Sequence, residues 1–184
     1  MHTEDVDVTF ERLGAGDLPL LATWLARPHV RRWWRQPSDL ASVEAEFGPL
    51  LDGSDPTEGF IVHLDGRPIG YLQRELIEDD AETQDAIRTS LGDAGGIGID
   101  YFIGEPDLVG RGIGRTMISR FVHGCFARHP SESRIVVCLQ QDNEASWKAL
   151  EAAGFRRAWA GDIESTHPSD GGPSFIYVLV RGAP

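Results

Sequence analysis

Apolar residues along this chain switch between two spacings, and the switches mark out its elements. From Val6 to Leu13 apolar and polar side chains alternate, which predicts a strand with one buried face. Leu20, Leu21, Trp24 and Leu25 then share a helical face, with Asp17 available as cap and Pro19 acceptable in the first turn. His29 to Trp34 reads as a short basic and aromatic link, and Ser38 as the cap of a second helix carrying Leu40, Val43, Phe47 and Leu50. Phe60–Leu64 and Ile69–Leu72 are β-prone runs, and Asp65-Gly66 between them predicts a tight hairpin. The acidic stretch over residues 78–95 reads as a loop with at most one helical turn, from Asp85 to Leu91.

A buried strand over Ile97–Ile103 leads into a glycine-rich loop. A helix from Gly112 to Arg128 follows, its buried stripe formed by Met117, Ile118, Phe121, Val122 and Cys125. Arg134–Leu139 predicts another buried strand. Asn143 caps a helix bearing Trp147 and Leu150 that ends at Gly154. Phe155–Trp159 and Ser174–Val180 complete the pattern as two strands. The sum is a mixed α/β fold of about seven strands and four helices in one domain over residues 1–184, without repeats.

Composition sharpens this picture. A chain of 184 residues buries roughly 70% of its unfolded surface and needs no staples. Cys125 and Cys138 form no CxxC pair and read as buried structural thiols. No apolar run approaches the ~18 residues of a membrane span, and the acidic start is unlike a signal peptide, so a cytoplasmic protein is expected. Net charge is −12, from 29 acids and 17 bases. Such a chain repels nucleic acid and anionic membranes and attracts cations.

The charges are also segregated. Glu75, Glu78, Asp79, Asp80, Glu82 and Asp85 follow one another with no intervening base, while arginines gather at Arg27, Arg31, Arg32 and Arg35 and at Arg111 and Arg115. That pattern suits a chain meeting a cation in one place and an anion in another.

The candidate chemistry starts at Gly98-Ile99-Asp100-Tyr101-Phe102-Ile103-Gly104 and continues through Val109-Gly110-Arg111-Gly112-Ile113-Gly114-Arg115. The glycine spacing is not GxGxxG and no lysine follows, which argues against a dinucleotide site or a P-loop. Glycines that let the backbone bend at the start of a helix, flanked by Arg111 and Arg115, nevertheless fit a cradle of amides for a pyrophosphate. Asp100 is a lone carboxylate in an apolar strand. It is either solvated or functional, and with no partner base in sequence it is the candidate catalytic group. An ordinary aspartate of pKa ~3.9 is a weak base for an ammonium, so drawing the ammonium in and relaying its proton through water suits it better. Trp33 and Trp34 are either core aromatics or the wall of a substrate pocket. The six histidines lack metal-ligand spacing and no GxSxG elbow occurs, so no metal site is expected.

Read with the glycine loop, Asn143-Glu144-Ala145-Ser146 leading to Gly154-Phe155 resembles the GNAT acetyltransferase superfamily, and within it the aminoglycoside 6'-N-acetyltransferases. Gly98-Ile99-Asp100, Trp24-Leu25, Trp33-Trp34, Ile69-Gly70-Tyr71-x-Gln73 and Asp170-Gly171-Gly172-Pro173 carry that likeness. Ile103-Gly104-Glu105-Pro106 is shared with the siderophore lysine acyltransferases, which carry histidine at the position of Asp100.

The resemblance implies a mixed, mostly antiparallel sheet and direct transfer from acetyl-CoA to an amine in a ternary complex, by a monomer or homodimer. It assigns the cofactor to Tyr101, Phe102, Ile103, Val109, Gly110, Arg111, Gly112, Ile113, Gly114, Arg115, Asn143 and Ser146, with a backbone N–H near Phe102 as oxyanion donor. A polycationic amine falls to Trp33, Trp34, Gln73, Glu75, Glu78, Asp79, Asp100 and Asp170. The alternatives are another amine (a siderophore lysine, a polyamine or a protein N-terminus) and a non-catalytic acyl-CoA-binding regulator. Val109 stands where the superfamily often has Gln or Arg, Cys138 where an aspartate is frequent, and Leu150 where a proton-donating tyrosine is common. The acid role passes to water or Ser146.

Overall fold

The hairpin at Asp65-Gly66 organises the first half of the molecule. Both residues take positive φ, 51° and 78°, the geometry a two-residue turn needs to match the twist of its strands. The computed structural model describes residues 6–165 and 171–182. Among these, seven strands form one sheet: β1 (Val8–Arg12), β2 (Glu58–Leu64), β3 (Arg67–Leu76), β4 (Ile97–Ile103), β5 (Arg134–Gln140), β6 (Arg156–Ile163) and β7 (Gly172–Val180). Their order is β1-β2-β3-β4-β5-β7-β6, with β4 and β5 parallel and every other pair antiparallel.

Six α-helices accompany the sheet: α1 (Leu18–Leu25), α2 (Pro28–Trp34), α3 (Leu40–Asp52), α4 (Ala81–Leu91), α5 (Ile113–Arg128) and α6 (Glu144–Ala152). Two were not expected. The basic link at His29–Trp34 is the helix α2, started by Pro28, whose missing N–H costs nothing at a first turn. The acidic loop is the three-turn helix α4, capped by the Asp80 carboxylate on the Thr83 N–H and ended by Gly92 at φ 78°. The cap of α3 is Asp39, which accepts from Ser42 N–H, rather than Ser38. Asp17 precedes α1, but its carboxylate accepts from Gly14 N–H instead of the helix.

Alternation along the strands sorts the core into layers. Ile97 and Ile99 of β4 pack with Met117, Ile118, Phe121 and Cys125 of α5 on one face. Phe102 points to the other face, into a cluster with Trp24, Val43, Phe47 and Tyr71 under α1–α3. On that second face α4 covers the far half of the sheet, where Ile87 joins Ile77, Val136, Ile163 and Ile176. The sheet itself splits in the middle. β4 and β5 pair only at Ile97 with Ile135 and Gly98 with Val136. Beyond those residues the two strands part, and β5 stays fully paired with β7.

Candidate active site

The parting of β4 from β5 opens the sheet between its two helical layers. Antiparallel ladders alternate bonded and non-bonded pairs. The ladder between β3 and β4 is fixed at its ends by Ile77 N–H donating to Gly96 O and Gly104 N–H donating to Ile69 O. In that register Asp100 and Phe102 exchange bonds with Gln73 and Tyr71. The N–H groups of Tyr101 and Ile103 therefore turn toward β5, where pairing has ended. Phe102, expected to serve the cofactor, has a core side chain and an N–H directed at β3. The donors facing the gap are its two neighbours.

A cavity of 420 Å³ lies at this split, between α3 and α4, with β3, β4 and β5 as its floor. It holds Trp33, Trp34, Gln73, Glu75, Asp100, Tyr101, Asn143 and Ser146, all expected at the site. It also holds Glu46, Asp55, Asp80, Glu82 and Glu164, so seven carboxylates and no Lys, Arg or His line it among the described residues. Glu78 does not line the cavity, and Asp79 lines only a side recess with Asp55, Glu75 and Asp80. Asp170 lies outside the described residues.

The floor is ordered by a chain of hydrogen bonds. Tyr71 Oη donates to Gln73 Oε1 at 3.0 Å, which turns the amide so that Nε2 donates to Asp100 Oδ2 at 3.2 Å. Burial, and then the Asp100 charge, push the Tyr71 hydroxyl far above its ordinary range, so it stays a donor. Glu75 lies on the same face and accepts from Thr57 Oγ1 at 3.2 Å. Burial first, then the charges of Asp100, Asp80 and Asp55, raise its carboxyl to about 8 against the Thr57 bond. On the opposite face Tyr101 Oη and Ser146 Oγ share a bond of 2.8 Å. Burial keeps Tyr101 protonated, although the Ser146 bond works the other way.

Trp34 packs edge-on against Phe102 and Tyr71, with ring centroids 4.9 and 5.8 Å away, so it belongs to both core and cavity. Trp33 stacks under the Arg32 guanidinium at 4.6 Å. Cys125 is buried as expected, whereas Cys138 is half-buried and lines the cavity, where β5 has lost its neighbour β4. Leu150 is fully buried and offers no proton.

The glycine loop leads into α5, which packs on the face of β4 that carries Ile97 and Ile99, opposite Asp100. Gly110 and Gly112 take φ of 76° and 80°, a left-handed conformation that favours glycine. Gly112 precedes α5 with no side-chain cap, so the first amides of that helix are left for an outside acceptor. Val109, Arg111 and Arg115 are exposed there, and Ile113 is buried in the core. Gly114 acts differently. A Cβ on it would stand 3.5 Å from Ala149 Cβ, so its bare backbone lets α5 lie close to α6. Asn143 caps α6 by accepting from Ser146 N–H at 3.4 Å.

An acid-lined cavity on one face of a split sheet, and an uncapped helix start on the other, are the parts of an acyl-transfer fold, and the chain belongs to the GNAT family. Residues 14–163 match the model of the acetyltransferase (GNAT) domain. Among relatives, the chain is 27% identical over 180 residues to the aminoglycoside N(6')-acetyltransferase type 1 of Klebsiella pneumoniae, covering 96% of this chain and 84% of that protein. It is 27% identical over 160 residues to the lysine N-acyltransferase MbtK of Mycobacterium tuberculosis, covering 82% of this chain and 69% of that one. The crystal structure of aminoglycoside acetyltransferase AAC(6')-Ib with coenzyme A and kanamycin superposes with a TM-score of 0.76 at 25% identity, over 95% of each chain.

The residues that sequence reasoning missed include Glu46, Asp55, Thr57, Glu82 and Glu164. Glu46 had a signal, since it falls within the helical stripe of Val43, Phe47 and Leu50 where an apolar residue is expected. Asp55 and Thr57 lie in a turn without periodicity and gave none.

Proposed function

We propose that this protein is an acetyl-CoA-dependent N-acetyltransferase acting on a small polycationic amine, the 6'-amine of an aminoglycoside, by direct transfer in a ternary complex. The observation that carries this reading is the cavity beside the opening in the sheet, lined among the described residues by seven carboxylates and no base. Its field selects cations and draws them in. The relatives and solved structures named for aminoglycoside acetylation point the same way.

Acetyl-CoA, when bound, supplies an acetyl group activated as a thioester. The amides from Gly110 to Arg115, with the Arg111 and Arg115 side chains, would hold its pyrophosphate. The N–H groups of Tyr101 and Ile103, with Asn143 and Ser146, would hold the pantetheine arm. Of these donors, those facing the split serve the developing oxyanion. Asp100, fixed by Gln73, orients the ammonium. Trp33 walls the amine pocket. The hydroxyl pair of Tyr101 and Ser146 stands where a proton for the departing thiolate is needed, the place Leu150 leaves unfilled.

A lysine-type substrate, with two amines and its own carboxylate, carries less net positive charge than a polycation and gains less from this cavity. The test is thiol release with acetyl-CoA and a panel of amines: aminoglycosides with and without a 6'-amine, spermidine, an Nε-hydroxylysine and a peptide N-terminus. Turnover confined to aminoglycosides bearing the 6'-amine is expected. Turnover on lysine alone, or coenzyme A binding without turnover on any amine, overturns the reading.

A further inference from the structure

Gly98 sits on β4 directly across from Glu75 on β3. A Cβ built on Gly98 would stand 3.4 Å from both Cγ and Oε1 of Glu75, so the Glu75 side chain lies across the space this glycine leaves. That places its carboxyl on the same face as Asp100, two residues further along β4, and on the cavity wall. Thr57 Oγ1 holds one oxygen, Oε2, leaving Oε1 turned toward Gly98 and the cavity floor. The two acids differ in setting. Asp100 receives a fixed amide donor from Gln73. Glu75 is faced by Asp100 from β4, Asp80 from the start of α4 and Asp55 from the turn before β2.

Resting on the acetyltransferase reading, we propose that Glu75 is the catalytic proton acceptor for the substrate ammonium, while Asp100, held by Gln73, draws the ammonium in. A carboxyl raised to about 8 is matched to an ammonium in a way an ordinary carboxylate is not. The ammonium gives one proton to the ionised Glu75 carboxylate, and the freed nitrogen lone pair forms the C–N bond as the thioester C–S bond breaks. The sulfur keeps the bonding electrons and takes a proton from the Tyr101 and Ser146 hydroxyl pair, which is resupplied by the second proton that the nitrogen gives up, leaving the amide N–H. Glu75 then returns its proton to water.

The test measures kcat/KM for kanamycin across about pH 6 to 10, with acetyl-CoA saturating, in wild type, Glu75→Gln and Asp100→Asn. The amine contributes its own limb to every variant, so the limb that changes between variants is the readout. Glu75→Gln should lose about 100-fold at neutral pH and lose the enzyme's acid limb, with coenzyme A affinity unchanged. Asp100→Asn should keep that limb but move it down by about one pH unit, because a like charge is gone.

A Glu75→Gln enzyme that retains the limb, or stays within about threefold of wild type, overturns the assignment. Loss of the limb in Asp100→Asn alone gives the base to Asp100 and overturns it too. Should Glu75→Gln fail to fold, Thr57→Val decides: losing the bond to the ionised carboxylate should move the limb to higher pH, and an unmoved limb overturns the proposal. Wild-type enzyme silent on every amine overturns the acetyltransferase reading itself. Wild-type turnover with an indifferent Glu75→Gln overturns only the present assignment.

Discussion

Single residues in this molecule divide between holding the floor of the cavity and reaching into it, and substitutions should separate the two. Tyr71 is fully buried, and its hydroxyl fixes the Gln73 amide by donating to Oε1. Tyr71→Phe should cost about 1–2 kcal/mol by leaving that oxygen without its donor, and should raise KM for the amine as the amide loses its orientation toward Asp100. Denaturant melts and steady-state kinetics read the two effects. The tryptophans should split in a similar way. Trp34→Ala removes the edge-on contacts with Tyr71 and Phe102 and should cost about 2–3 kcal/mol, whereas Trp33→Ala should leave stability nearly unchanged and weaken amine binding.

From sequence, Trp33 and Trp34 could not be told apart, because adjacent residues carry no period. Asp100 was legible as a site candidate because it breaks an apolar strand, and Glu75 because it opens the run of acids that no base interrupts. The space at Gly98 was not, because it depends on cross-strand register.

At the scale of elements, the strands and the helix α5 were legible because alternation and helical spacing are strong there. α4 was not, since Ile87 is its one fully buried residue and its other positions are mostly polar. Its caps, Asp80 and Gly92, were nevertheless present in the sequence and outweighed its poor stripe. The glycine loop combines two physical roles that sequence merges into one motif. Gly112→Ala should strain a left-handed position by about 1–2 kcal/mol and raise the dissociation constant for coenzyme A. Gly114→Leu should instead wedge α5 from α6 and lower thermal stability first. Calorimetric titration with coenzyme A, set beside thermal melts, distinguishes the two outcomes.

For the whole molecule, charge sets both attraction and stability. Seven carboxylates are gathered around one cavity, so KM for a polycationic amine should rise several-fold between low and high salt while KM for acetyl-CoA changes less. Steady-state kinetics at several ionic strengths would show this. Stability should depend on pH in two opposing ways. Glu75 has its carboxyl raised on folding, so the folded state holds its proton more tightly, and stability is lost as pH climbs toward about 8. Glu58 is pushed up by burial, but the Arg74 and Arg12 guanidiniums hold it below its ordinary range, so its contribution is lost as pH falls. The melting temperature should therefore peak near the ordinary glutamate value of about 4.5, and Glu75→Gln should flatten the alkaline decline.

The narrow seam between β4 and β5 has a mechanical consequence. Among the described residues, two ladder pairs join the sheet half formed by β1 to β4 to the half formed by β5, β7 and β6. A guest threaded along the exposed β4 edge would bond to one half and lean on the other, acting as a rivet across the seam. Saturation with coenzyme A at about 100 times its dissociation constant should add ~2.7 kcal/mol to unfolding, and it should slow amide exchange at Tyr101 and Ile103 before anywhere in the outer strands. Occupancy would then do two jobs at once, feeding the reaction and bracing the machine that runs it.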